Sequence, residues 1–487
     1  MGRFSEVING RRLHRLLTRL AISLLLVGPP GAYIIRTLSA RKASNKYTCF
    51  NKNHRHVTSI IKSFNQALAA KLVTSNHQLK LLFDDDDAWT EVLPDVFVYS
   101  AFLEKGEMGT WQIRLISVVR SNLTVIRQTP QDIKCWVKAR TAVYREKVEY
   151  KYIPESHGLA YAAVLFTCPV NLPSQFRHNS TLRVALGSHW NATKPKWVKA
   201  HQTRTKSLKL CSVCVKPTFA KFNELSLMTE FIGYYTSMGV ARFDFYISGL
   251  SKGAELLLSR LKNHSGDLIQ LHKWNLSFKT FDIWQNGQLA AIQDCIYRSR
   301  SLSEYVIIVD FDEFLVPKKK PTILEALRSI ETEIGKIYLG SMVIQNLFFC
   351  TEYPYNSAFL RQRPPLLTQI ATMREKMPWN HRVRSKYITR PKATVVGGVH
   401  FVFEHVPGVR ELRIPADEMA LHHYRTCCGV EKPENAGLDL HKSMLEQEVE
   451  DDESMHAFSV HLIKSDAFLF VNTLLQDEKK DEPLYAA

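Results

Sequence analysis

Asp310 and Asp312 stand in the middle of the segment Tyr305-Val-Ile-Ile-Val-Asp310-Phe-Asp312-Glu313-Phe-Leu-Val-Pro317, directly after its first apolar run. Carboxylates two residues apart at a strand end can share one hard cation. Oxygen ligation suits Mg²⁺ or Mn²⁺, and a phosphate would complete the shell. An Asp-x-Asp tripeptide alone is common, and acids after a strand often serve only a turn. Here the apolar run before the pair is short, rich in β-branched residues and stopped by Pro317. It reads as a buried central strand of a parallel sheet, and such sheets bind ligands at the carboxyl ends of their strands. Glu313 adds a third acid at the same end.

The elements that must position these groups come from a chain of 487 residues with 45% hydrophobic content, enough for two or three domains. Its net charge of +17 and pI near 9.4 raise the question of nucleic acid. No basic stripe with interleaved aromatics and no finger or RNA-binding signature is legible, so no nucleic-acid partner is expected. The basic residues are spread out, and an acidic run follows from Glu446 to Glu453. A diffuse positive field suits an anionic nucleotide substrate or a membrane-facing lumenal protein.

Arg3, Arg11, Arg12, Arg15 and Arg19 precede an uncharged run from Leu20 to Ile35. With Leu16 to Thr18 added and Arg19 snorkelling, the run is long enough for one signal anchor over 16–36. The heavier positive flank leaves residues 1–15 as a cytosolic tail and the body lumenal. A cleaved signal peptide is the competing reading, and Pro29-Pro30 standing where cleavage would fall disfavours it. Asn-x-Ser/Thr sequons at Asn122, Asn179, Asn191, Asn263 and Asn275 all lie beyond the run and suit the secretory pathway. Nine cysteines in an oxidising lumen would mostly pair and leave at least one over; the pairing itself is not legible. Cys211-x-x-Cys214 has no second half of a zinc site.

Residues 37–90 read as a polar stem with one helical stretch near Val57 to Leu72. Residues 91–200 show short alternating segments of a small β-rich domain, which Cys135 and Cys168 could staple. From 210 to 470 the pattern becomes alternating helices and strands, the grammar of an α/β domain with a mostly parallel sheet. Residues 471–487 form a tail.

The block from Cys214-Val-Lys-Pro217 to Arg425 resembles glycosyltransferase family 92. The likeness rests on Glu230-Phe-Ile-Gly-Tyr-Tyr-Thr-Ser-Met-Gly239, Gln288-Leu-Ala-Ala-Ile-Gln293-Asp294-Cys295, Val309 to Pro317, Lys386-Tyr-Ile-Thr-Arg390-Pro391, Gly398-Val-His400 and Leu421-His422-His423-Tyr424-Arg425. One departure stands out: Tyr246 is followed by Ile247-Ser248-Gly249, where many GT-A enzymes carry Asp-Asn near the uracil.

The resemblance implies a GT-A-like domain in a single-pass type II protein of the Golgi membrane. It implies an inverting transferase moving galactose from UDP-galactose, with Mn²⁺ or Mg²⁺, to a glycan acceptor. Asp310 and Asp312 would hold the metal, with a late histidine, His400 or His423, as third ligand. Lys386 and Arg390 would face the pyrophosphate through charge-assisted bonds. Inversion needs a carboxylate base, a role expected of Glu352, and Glu313 would be catalytic or orient the metal shell. Two rivals remain. One is a haloacid-dehalogenase-like phosphatase using Asp310 and Asp312, although no later paired-aspartate motif follows. The other is a non-catalytic glycan-binding protein.

Overall fold

The computed structural model describes residues 49–476 except 50, 76–82, 85–87, 107–109, 122–132, 171–180, 188–194, 203–207, 277, 279–281 and 440. The expected tail and anchor over 1–36 lie outside the described residues. Among those described, no helix is long and apolar enough to cross a membrane.

Helix α1 (Lys52–Ser75) comes first. Nine strands follow: β1 (Thr90–Leu93), β2 (Val96–Lys105), β3 (Trp111–Arg120), β4 (Lys134–Ala139), β5 (Ala142–Lys147), β6 (Glu149–Tyr152), β7 (Tyr161–Val170), β8 (Leu182–Gly187) and β9 (Val198–Gln202). They form one sheet in the order β5-β4-β8-β9-β2-β3-β7-β6, with β1 beside β2. Alternation drives it: Cys135, Val137 and Ala139 are buried on one face of β4 while Lys134, Trp136 and Lys138 stand on the other.

Then come β10 (Lys209–Val215), α2 (Leu225–Ser237), β11 (Phe243–Ile247), α3 (Lys252–Ser265), β12 (Ile269–Lys273), α4 (Gln288–Ser299), β13 (Ser303–Val309), β14 (Glu313–Pro317), α5 (Ile323–Ile334), β15 (Leu339–Ile344) and β16 (Asn346–Cys350). The last strands are β17 (Met373–Glu375), β18 (Lys386–Thr389), β19 (Thr394–Gly397), β20 (Val402–His405), β21 (Arg410–Ile414), β22 (Met419–Arg425) and β23 (Val449–Asp451). The seven-stranded sheet runs β12-β11-β10-β13-β18-β15-β21, and β14-β22-β16 form a smaller one.

The strand that carries the acidic pair is central and buried, as its composition requires. The sheet, however, is mixed rather than mostly parallel: β13 pairs β10 in parallel and β18 in antiparallel. An apolar run reports burial on both faces and carries no information about the direction of its neighbours.

Helix α4 joins the two large sheets. Ile292 and Ile296 share one apolar cluster with Phe102, Ile116 and Val118 on one side and Ile308 and Tyr387 on the other. Asp294 fastens the joint, accepting from the hydroxyls of Ser100 and Tyr246 and pairing with Arg298. The helical stretch near 57–72 is present as α1, and Phe64, Leu68 and Leu72 enter the core of β10, β11 and α2. It crosses α3 closely at Gly253, where a Cβ would stand 2.7 Å from that of Ala69.

Four disulfides are formed: Cys49–Cys428, Cys135–Cys168, Cys214–Cys295 and Cys350–Cys427. Cys211 is free and buried. It sits three residues from Cys214 on one strand, so the two thiols belong to opposite faces and different clusters.

A buried carboxyl in β17 makes stability pH-dependent. Glu375 is fully buried and its Oε1 accepts the Phe348 N–H; burial pushes its pKa from 4.5 up to about 8. The folded state therefore binds a proton that the unfolded chain loses near 4.5. This contribution is complete below that pH and is lost as pH rises toward about 8. Glu375→Gln should remove part of the fall in melting temperature across that range, and parallel slopes for the two proteins would refute it.

Candidate active site

Strand β13 ends at Val309, and the chain re-enters as β14 only three residues later, so Asp310 and Asp312 are held in a tight turn at the strand's carboxyl end. The Glu313 N–H donates to Asp310 O (3.2 Å) and the Tyr424 N–H to Asp312 O (2.9 Å). Strand β22 runs antiparallel to β14 with His423 opposite Glu313 and His422 opposite Phe314. Adjacent residues of a strand face opposite ways, so one histidine of the pair reaches the acids and the other does not.

His423 Nε2 lies 3.4 Å from Asp312 Oδ2, and its Nδ1 is 3.5 Å from Glu313 Oε1 and 3.3 Å from Asn346 Oδ1. Glu313 is buried at the centre of the group. Its Oε2 accepts the Asp310 N–H at 2.7 Å and pairs with Lys386 Nζ at 3.1 Å. Lys386 is only 1% exposed and also lies 3.4 Å from Asp310 Oδ2, while Gln288 Nε2 donates to Asp310 Oδ1 at 3.0 Å. Burial, against the pull of Lys386, raises the Glu313 pKa. Burial would lower that of Lys386, but Asp310 and Glu313 hold it above its ordinary value. Asp312 opposes burial through His423 and stays below the usual carboxylate range.

The other expected site residues are scattered. His400 is close enough to feel Lys386 and Asp310; its Nδ1 faces Ser385 O at 3.0 Å, and burial with the Lys386 charge lowers its pKa to about 4. His422 points away, toward Lys318 at 3.0 Å. Arg390 follows the far end of β18 from Lys386 and donates to the carbonyls of Lys336 and Leu339, so the structure does not bring it to the acids. Glu352 is fully buried, and its oxygens accept the backbone N–H groups of Cys427 and Cys428 at 3.0–3.1 Å. That geometry makes it a cap on the doubly bridged cysteine pair. Trp274 and Trp379 are fully buried, as core residues.

Three contributors were not legible. Gln288 lay inside a motif whose role sequence did not give. The loop between β6 and β7 brings Glu155 near Lys386 and stacks His157 on Trp284, with ring centroids 3.8 Å apart. Burial raises the Glu155 pKa, with Lys386 opposing. Before α4, Gln285, Asn286 and Gly287 all have positive φ, and neither polar atom of the buried Asn286 amide has a partner among the described residues. The turn sets the start of α4 and with it the position of Gln288, which donates to Asp310. Helix α4 therefore starts only at Gln288, after this left-handed turn. Glu155 and His157 stand at φ 69 and 53, a backbone strain that no sequence pattern announces.

Among the described residues no group of three His, Cys, Asp or Glu side chains stands ready-made for a divalent ion. Cis ligands at ~2.1 Å from an ion stand ~3 Å apart. The 3.4 Å between Asp312 Oδ2 and His423 Nε2 is close to that separation, and a carboxylate behind Nδ1 is the usual support of a ligating imidazole. Asp312 and His423 thus fit; Asp310 fits once its bonds to Gln288 and Lys386 give way.

The sequence model of Glycosyltransferase family 92 matches residues 209–467, more than half of the chain, and the chain belongs to that family. A beta-1,4-galactosyltransferase of Caenorhabditis elegans is 22% identical over 379 residues, covering 74% of this chain and 80% of its own length. A family 92 protein of Ricinus communis is 23% identical over 209 residues, 42% of this chain and 33% of that protein. Among solved structures, a mannosyltransferase from Pyrobaculum calidifontis in complex with GDP-Man and Mn²⁺ overlaps 57% of this chain and 78% of its own, at 12% identity and a TM-score of 0.26. Membership implies a nucleotide-sugar donor and a glycan acceptor.

Proposed function

We propose that this protein is a metal-dependent inverting galactosyltransferase that uses UDP-galactose and forms a β linkage to a glycan hydroxyl. The observation that carries the reading is the cluster of Asp310, Asp312, Glu313, His423 and Lys386 at the end of β13. The printed name of the Caenorhabditis elegans relative supports galactose as the sugar. Asp312 and His423, joined by Asp310, would hold Mn²⁺ or Mg²⁺, which when bound offsets charge on the leaving diphosphate. Glu313 positions the group: it fixes the Asp310 backbone, the Lys386 ammonium and the His423 ring at once. Lys386 adds a cation on the diphosphate side.

In the transfer, the acceptor oxygen bonds to the sugar's anomeric carbon as the bond to the UDP oxygen breaks, and the acceptor proton passes to a base. Glu155 suits that role better than Glu352, whose oxygens are taken by backbone donors. Burial raises the Glu155 pKa above the ordinary carboxylate value, against the pull of Lys386. Four disulfides and exposed sequons at Asn263 and Asn275 support an oxidising, secretory setting, in keeping with a Golgi type II protein.

The test is product formation from a panel of UDP-sugars and N-glycan acceptors, with Mn²⁺ or a chelator. Transfer from UDP-galactose alone, abolished by the chelator, is expected. Transfer from a different donor, or phosphate release from small phosphoesters, would overturn the reading. Glu155→Gln should lower kcat about 10²–10⁴-fold and remove the acid limb of its pH profile. Glu352→Gln should chiefly lower stability.

A further inference from the structure

The half of the nine-stranded sheet that extends past α4 presents a face with one sign of charge. Register places Lys138, Arg183 and Lys199 directly opposite one another across β4, β8 and β9. On the same face, β4 and β5 pair Trp136 with Arg145 and Lys134 with Lys147. Alternation sends no described acid to this face of the four strands. Lys138, Arg145, Lys147, Arg183 and Lys199 have no acidic partner among the described residues. Like charges directly opposite across strands are destabilising, so the row costs the free protein stability. Its aromatic members are interleaved: Arg145 lies 5.7 Å over Trp136, and Lys138 lies 5.9 Å over Trp197.

This face runs into a cleft of about 650 Å³ whose lining includes Arg183, Trp197, Lys199 and His201 from the sheet and Arg242 and His272 from the other domain layer. Arg242 and His272 are both paired with buried Asp244, and the lining acid Asp84 is paired with Lys262. Among the described residues, the positive excess therefore sits on the rim, at Arg183 and Lys199. Arg242 precedes β11, and Leu302, also in the lining, precedes β13, so the cleft opens at the amino ends of those strands. Asp310 stands at the other end of β13, a strand of seven residues spanning ~20 Å. The two places are distinct.

We propose that this face and cleft bind a polyanionic saccharide, a glycan chain carrying sulfate or carboxylate groups. Cations spaced on neighbouring strands, ~4.8 Å apart, match charges repeated along a chain. Indole faces between them suit the apolar faces of pyranose rings. A concave cleft admits a chain end where a flat bilayer would meet only the rim. The choice of a saccharide over a nucleic acid rests on the family's glycan acceptors, and the binding measurement below needs no donor, so its failure is separate from failure of the galactosyltransferase reading.

The experiment titrates the whole chain with a fluorescent sulfated octasaccharide, alongside a neutral dextran of equal length, a single-stranded oligonucleotide and phosphatidylserine vesicles. Arg183→Glu/Lys199→Glu should weaken octasaccharide binding at least about tenfold and flatten its salt dependence. Trp136→Ala should weaken it several-fold while leaving the salt dependence in place. Arg183→Gln, a milder exposed change, covers a double variant that fails to fold. The dextran should not bind. Unchanged binding in these variants, or tighter binding to the oligonucleotide or the vesicles than to the octasaccharide, would overturn the proposal.

Discussion

Asp312→Asn should reduce sugar transfer by on the order of 10²–10³-fold, the range lost when one group that stabilises transition-state charge is removed. The fold should barely notice. The Asp312 side chain is 35% exposed and its backbone carbonyl, which ties the turn to Tyr424, is untouched. The variant should also need far more Mn²⁺ for half-maximal residual activity. His423→Ala should act in the same direction, because the imidazole and the carboxylate face each other at 3.4 Å. Full activity in Asp312→Asn at low metal would remove this residue from the ion's shell.

Lys386→Met is the second large effect, and it falls on stability as much as on activity. The ammonium is 1% exposed and balances both Asp310 and Glu313. Removing one partner of a buried ion pair typically costs about 3–5 kcal/mol, because the charge left behind has neither water nor counterion. A lower melting temperature and poor secretion are expected. Adding Glu313→Gln should restore much of the stability and none of the activity, since it removes the stranded charge. If the double variant is no more stable than the single one, the pair is not coupled as its geometry requires.

What was legible in the sequence was whatever a local pattern can carry. The apolar run ending in Asp310 announced a central strand, and the alternation of helices and strands beyond residue 210 announced an α/β domain, but not the left-handed turn that precedes α4. Sheet direction was not legible, since burial looks the same beside a parallel or an antiparallel neighbour. Placing the charged residues required register. Lys386 and Arg390 are near in sequence yet flank opposite ends of β18, and of two adjacent histidines only His423 faces Asp312. A stripe of bases with aromatics was absent from any one stretch of sequence; it appears only where β4, β5, β8 and β9 lie side by side. Glu155 was invisible for a related reason, since it reaches the site from a different sheet.

The bridge between Cys49 and Cys428 spans 379 residues and closes nearly the whole described chain into a loop. A protease that cuts once anywhere inside that loop severs the backbone but leaves one covalent particle, which reducing electrophoresis would split and non-reducing electrophoresis would not. Severing the body in a single cut from whatever precedes it is therefore possible only on the amino side of Cys49. Cuts that release a fragment and cuts that only nick the particle are thus topologically separated.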